Sequence, residues 1–149
     1  MPTQARAELA HCVAELCSGP WTFVQIRGEP LSATCIDDDD VDLLGTRDAV
    51  NAVLDRVFTW VRAGRCHAHV TARGPDKTEL TLFSTDGRLH AIFDLWVTLP
   101  QLDGGRLCLT WSDCKHVAEA GTPGISRLPV DIEACVYVHH LVCKRKQLA

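Results

Sequence analysis

The sequence predicts an α+β domain, a mixed β-sheet with helices packed on it. Three observations carry this. Residues 47–63 repeat apolar side chains at Val50, Val53, Leu54, Val57, Phe58 and Val61, the spacing of one helix face turned to a core. Residues 21–27, 66–72, 78–84 and 89–97 are short runs of strand character separated by turn residues. The order is helix, two strands, helix, three or four strands, helix, within 149 residues, a length that suits one domain.

Each element has a local reason. Residues 4–17 form the first helix, with Leu9, Val13 and Leu16 at helical spacing and Ser18-Gly19-Pro20 as its stop. Residues 21–27 (WTFVQIR) form a strand broken by Gly28-Glu29-Pro30. A loop leads to four consecutive aspartates, of which Asp37 to Asp39 read as solvated. Val41 to Leu44 make a short second strand, ended by Gly45, and Thr46 caps the helix that follows. Gly64 stops that helix. Residues 66–72 alternate, with Cys66, Ala68 and Val70 on one face and His67, His69 and Thr71 on the other. Leu80 and Leu82 share one face of the next strand, and Asp86-Gly87 turns it into the apolar run 89–97. Asp103-Gly104-Gly105 is a turn, residues 106–111 a short strand and 121–127 a loop. Pro129 suits the first turn of a last helix whose apolar positions are Ile132, Cys135, Val136, Val138 and Val142.

At 46% hydrophobic and 23% charged the composition is that of an ordinary globular chain, which excludes disorder and collagen-like repeats. The net charge of -4 argues against bulk binding of nucleic acid, and Asp37 to Asp40 account for all of it. No apolar run approaches the ~18 residues of a membrane span, and the polar residues 1–8 lack the apolar middle of a secretion signal. The expected location is the cytoplasm. Eight cysteines are scattered without a C-x-x-C pair, so they read as reduced, buried apolar groups. The rival is a structural zinc site at Cys66-His67-Ala68-His69, Cys114-Lys115-His116 or His139-His140-Leu141-Val142-Cys143.

The chemistry concentrates in two places. On a strand, Asp40 and Asp42 share a face, about 7 Å apart along the backbone. Two carboxylates so close repel, and a divalent cation such as Mg²⁺ removes the conflict. Asp94 lies inside the apolar run Ala91-Ile92-Phe93-Asp94-Leu95-Trp96, where a charge needs a partner or a metal. If the two strands are neighbours, three carboxylates converge on one sheet face. That is the layout of metal-assisted phosphoryl or nucleotidyl transfer, with one carboxylate free to deprotonate an attacking hydroxyl. The plain alternative is a solvated acidic loop beside a paired, buried aspartate.

At these residues the chain resembles the DNA polymerase β-like nucleotidyltransferases. Their motif is a glycine followed by Gly or Ser, a gap of roughly ten residues, then Asp-hydrophobic-Asp/Glu-hydrophobic, with a third Asp on a later strand. Gly28-Glu29, Asp40-Val41-Asp42-Leu43 and Asp94 stand at those places. The likeness is to small bacterial members, the aminoglycoside nucleotidyltransferases and the kinase-associated nucleotidyltransferase-like domains, and runs from about Trp21 to Lys146.

The resemblance implies a nucleotidyltransferase-like fold and a Mg²⁺ ion held by Asp40, Asp42 and Asp94, with Asp94 as general base. The substrates would be an NTP and a small-molecule acceptor hydroxyl. Arg27, Gly28, Ser32 and Lys144 are the candidate nucleotide contacts. Glu29 departs from the pattern, since a carboxylate there repels phosphate. Either Arg27 or Ser32 grips the phosphates, or the domain is a catalytically degenerate binding module. Lys77 reads as solvated and the four tryptophans as core, with Trp96 able to stack on a base or sugar. No membrane partner is expected. At this size a homodimer or a partner protein could complete the acceptor pocket.

Overall fold

The structure is a computed structural model and describes residues 4–27, 35–38, 40–99, 109–119 and 125–147, the last of these partly as backbone only. Its centre is a six-stranded mixed sheet. The chain runs α1 (Gln4–Ser18), β1 (Phe23–Gln25), β2 (Val41–Gly45), α2 (Arg47–Arg62), β3 (His67–Ala72), β4 (Lys77–Phe83) and β5 (His90–Trp96). It continues through β6 (Thr98–Leu99), β7 (Leu109–Thr110), α3 (Trp111–Cys114), β8 (Ile125–Arg127) and α4 (Val130–Gln147). The sheet order is β3-β4-β5-β2-β1-β8, and β6 and β7 pair as a separate ribbon. Two pairings are parallel, β2 with β5 and β1 with β8, and the rest are antiparallel. The expected α+β class with a mixed sheet is therefore present.

The two faces of the sheet are covered differently. Leu9, Val13 and Leu16 of α1 and Val50, Val53, Val57 and Trp60 of α2 pack on Leu43, Leu80, Leu82, Phe93 and Leu95. This is the main core. On the other face, Val24, Ile26 and Leu44 meet Leu99, Cys114, Leu128 and Val136, with Trp96 of β5 packed beside them, so α3, α4 and the ribbon lie toward the β2-β1-β8 side.

Local signals explain most boundaries. The Thr46 side chain accepts from Ala49 N at 3.1 Å and starts α2, and Gly64, at φ 69°, takes the left-handed position past its end. The turn after β4 uses Gly87 at φ 69°, with Ser84 N donating to Leu89 O at 2.9 Å.

The α2 stripe is rotated from its expected centre. Trp60 is buried and Phe58 is 55% exposed, because Trp60 Nε1 donates to Glu15 Oε2 of α1 at 3.1 Å. Glu15 also accepts from Arg56 at 3.0 Å and Arg65 at 2.8 Å. Burial pushes its pKa up, but these donors outweigh burial and hold it below the usual value.

Other departures are small elements. Of the expected strand over residues 106–111, residues 106–108 lie outside the described residues, Leu109–Thr110 pair with β6, and Trp111 begins α3. Part of the expected loop 121–127 is β8, which takes its hydrogen bonds from β1. Cys135, Val138 and Val142 are exposed, so the buried side of α4 is Ile132 and Val136 alone among the expected apolar positions.

The cysteines are free thiols where described. Cys12, Cys17, Cys35, Cys66 and Cys114 are buried and Cys135 is exposed. Burial pushes Cys17 up to about 12 and Cys35 up to about 11, so neither carries appreciable thiolate near neutrality. Among the described residues no helix is long and apolar enough to cross a membrane.

Candidate metal centre

The parallel register of β2 with β5 sets Asp42 directly beside Asp94. Parallel neighbours lie about 4.8 Å apart and paired residues share a face, so both carboxylates leave the sheet together. Leu43 and Leu95, the next residues, point into the main core and fix that orientation. Asp40 precedes β2 by one residue and stands two before Asp42, on the same side. One carboxylate oxygen from each of Asp40, Asp42 and Asp94 lies within 4.8 Å of the others. Asp42 and Asp94 are buried, and Asp40 is exposed at the rim.

Three groups brace the carboxylates. Arg27 Nε donates to Asp42 Oδ2, and Trp96 Nε1 donates to Asp42 Oδ1 at 2.9 Å. Lys77 Nζ pairs with Asp94 Oδ2 and sits 4.7 Å above the Trp96 ring centroid. Lys77 is thus a member of the site and not the solvated turn residue expected. Trp96 is half-buried, and its indole N–H orients a carboxylate.

The electrostatics follow from this crowding. Burial pushes Asp94 up to about 6, Lys77 pulls it down, and the charge of Asp42 and a hydrogen bond with Asp40 push it up again. Three carboxylates brought this close repel one another, a conflict that a bound cation relieves. Lys77→Met should raise the Asp94 pKa above about 6, read by carbon-detected NMR titration of the side chain. An unchanged or lower value would show Lys77 to be a spectator.

The donor set can hold a metal ion. It offers three hard oxygens and no sulfur or imidazole, which suits Mg²⁺, Mn²⁺ or Ca²⁺ and disfavours zinc. Among the described residues no other cluster of three or more His, Cys, Asp or Glu could hold an ion. Among the described residues, Cys66 with His67 and His69, and Cys114 with His116, do not belong to such a cluster. The third candidate cluster includes His140 and Cys143, whose side chains lie outside the described residues.

Asp37, expected to be solvated, is exposed but engaged. At φ 59° its N donates to His90 O at 2.7 Å, and its Oδ1 accepts from His90 N at 3.0 Å. It ties the acidic loop to the start of β5, while Cys35 and Ile36 anchor that loop in the main core. Of the remaining sequence-predicted contacts, Gly28 and Ser32 lie outside the described residues, as does the side chain of Lys144.

Lys77 had a readable signal. The turn centred on Asp86-Gly87 fixes the hairpin register, and counting outward sets Lys77 opposite Trp96 and Glu79 opposite Asp94. Compared with protein-family models, with curated proteins and with solved structures, the chain gives no match.

Proposed function

We propose that this chain is a magnesium-dependent nucleotidyltransferase that moves a nucleoside monophosphate from an NTP to a hydroxyl of a small molecule. The observation that carries the reading is the register of Asp42 against Asp94 on parallel neighbouring strands, with Asp40 on the same side. Asp40, Asp42 and Asp94 would hold the cation, which when bound neutralises charge on the transferring phosphate.

The chain's own groups do the rest. Asp94, kept ionised by the cation, accepts the proton of the acceptor hydroxyl. The freed oxygen forms a bond to the α-phosphorus, and the bond from that phosphorus to pyrophosphate breaks. Arg27 and Lys77 stand on either side of the carboxylates and supply positive charge for phosphate oxygens. Gly28, Ser32 and Lys144 are further contacts that the family resemblance implies.

One observation favours a second reading. Both oxygens of Asp42 are already bonded, to Arg27 and to Trp96, and Lys77 already neutralises Asp94. A cluster satisfied by its own cations suits a catalytically degenerate module that binds without turnover. Calorimetry with ATP, GTP, CTP and UTP in the presence of Mg²⁺ separates the two. Heat for at least one nucleotide, dependent on Mg²⁺, is expected. Silence for all four would sink the enzyme reading and leave the second.

A further inference from the structure

Building on the proposed metal centre, we infer that Lys77 is a built-in counter-cation that a divalent metal must displace from Asp94, so the site takes up metal weakly while the lysine is in place. In the β4-β5 pairing Lys77 stands opposite Trp96, and Glu79 opposite Asp94. Lys77 is therefore the diagonal neighbour of Asp94 on the same sheet face, a separation that a long side chain spans. Its Nζ pairs with Asp94 Oδ2, and the lysine side chain is 19% exposed against 6% for the aspartate. The ammonium is thus a stand-in cation on a carboxylate that offers an oxygen to the metal centre.

The two cations of the site are held differently. Asp42 is bonded at both oxygens, to the Arg27 guanidinium and the Trp96 indole. Arg27 brings a planar fork with directed donors, whereas Lys77 brings a point charge on a flexible stem. The Trp96 ring, 4.7 Å from Nζ, leaves that ammonium a partner when Asp94 is taken from it. A divalent ion among Asp40, Asp42 and Asp94 sets two positive charges beside the ammonium. Asp94 is buried, and like charges repel more strongly there than in water. Metal and lysine therefore compete for the same carboxylate.

Titration of the chelator-stripped full chain with Mn²⁺ at pH 8, without nucleotide, tests this through the paramagnetic resonance of the free ion. Lys77→Met should bind Mn²⁺ about fivefold or more tightly than the wild type, the lower end of ordinary couplings between ligands. Lys77→Arg should show no such gain, since it keeps the counter-charge. Arg73→Met controls for net charge. Arg73 is 56% exposed and pairs with Glu79 at 3.4 Å, so its loss should change the affinity by less than about twofold. In the wild type itself, NMR of the lysine ammonium groups gives a second readout that needs no destabilised variant. The Lys77 signal, assigned by its loss in Lys77→Arg, should lose its protection from hydrogen exchange as Mg²⁺ saturates the site. Equal Mn²⁺ affinities for wild type and Lys77→Met, an equal gain in Arg73→Met, or a Lys77 ammonium still protected at saturating Mg²⁺ would each overturn the inference. No Mn²⁺ binding by any of these proteins would overturn it together with the metal centre. Silence toward all four nucleotides, with the gain in Lys77→Met present, would sink the enzyme reading and leave the competition standing.

Discussion

Asp42→Asn should abolish the response of the protein to divalent cations while leaving its fold standing. The asparagine is nearly isosteric and keeps one acceptor oxygen, so it can still serve Trp96 or Arg27 but not both. The stability cost is about 1–3 kcal/mol, that of one donor left unpaired beside a partly exposed arginine. The functional cost is larger. Groups that merely orient metal ligands are worth about 10–100-fold in affinity, and the buried centre of three ligands should exceed about 100-fold. The measurement is Mn²⁺ and Mg²⁺ binding with and without nucleotide, beside a urea titration of the same variant. Cation-dependent nucleotide binding that survives the change would remove Asp42 from the site.

The pH dependence of stability carries the second large effect, and its sign is opposite to that of most carboxylates. The folded state raises the Asp94 pKa from 3.8 to about 6, chiefly by burial, so it holds the proton more tightly than the unfolded chain. The resulting stabilisation is complete below 3.8 and is lost as pH rises through 6. Metal-free protein should thus be about 1 kcal/mol more stable at pH 5 than at pH 8 through this group, roughly 3 °C in Tm. A bound cation needs the carboxylates ionised, so millimolar Mg²⁺ or Mn²⁺ should raise Tm at pH 8 and hardly at pH 5. Asp94→Asn should flatten both responses. Calorimetric Tm series over that pH range, with chelator and with metal, check each. A metal-free Tm that climbs through pH 6 to 8 in the wild type alone would refute the assignment.

The strands that carry the aspartates were readable because their flanking residues alternate or run apolar. Their adjacency was not, since pairing between β2 and β5 leaves no local trace. Asp94 stood out only as a charge among apolar neighbours. Lys77 was missed for a different reason. A lysine beside a turn has the composition of a solvated residue, and only counting outward from the Asp86-Gly87 turn places it at the site.

The shortest elements were illegible on physical grounds. Ile125–Arg127 and Trp111–Cys114 are too brief to show a period, and both are held by contacts made far away in sequence. The rotation of the α2 stripe toward Trp60 likewise depends on Glu15, 45 residues away in sequence.

The parallel union of β2 with β5 has a consequence for how the chain folds. Asp42 and Trp96 are bonded to each other across 54 residues of sequence. Parallel strands cannot be joined by a tight turn, and here the connection spends itself on α2 and the β3-β4-β5 meander. Those parts are local and can form early, whereas closing β2 onto β5 must first overcome the entropy of a long loop. The buried aspartates meet only in that closing step. Their mutual repulsion is therefore met late, on the way to the finished sheet, so acidity and divalent cations bear on the speed of folding as well as on its end point.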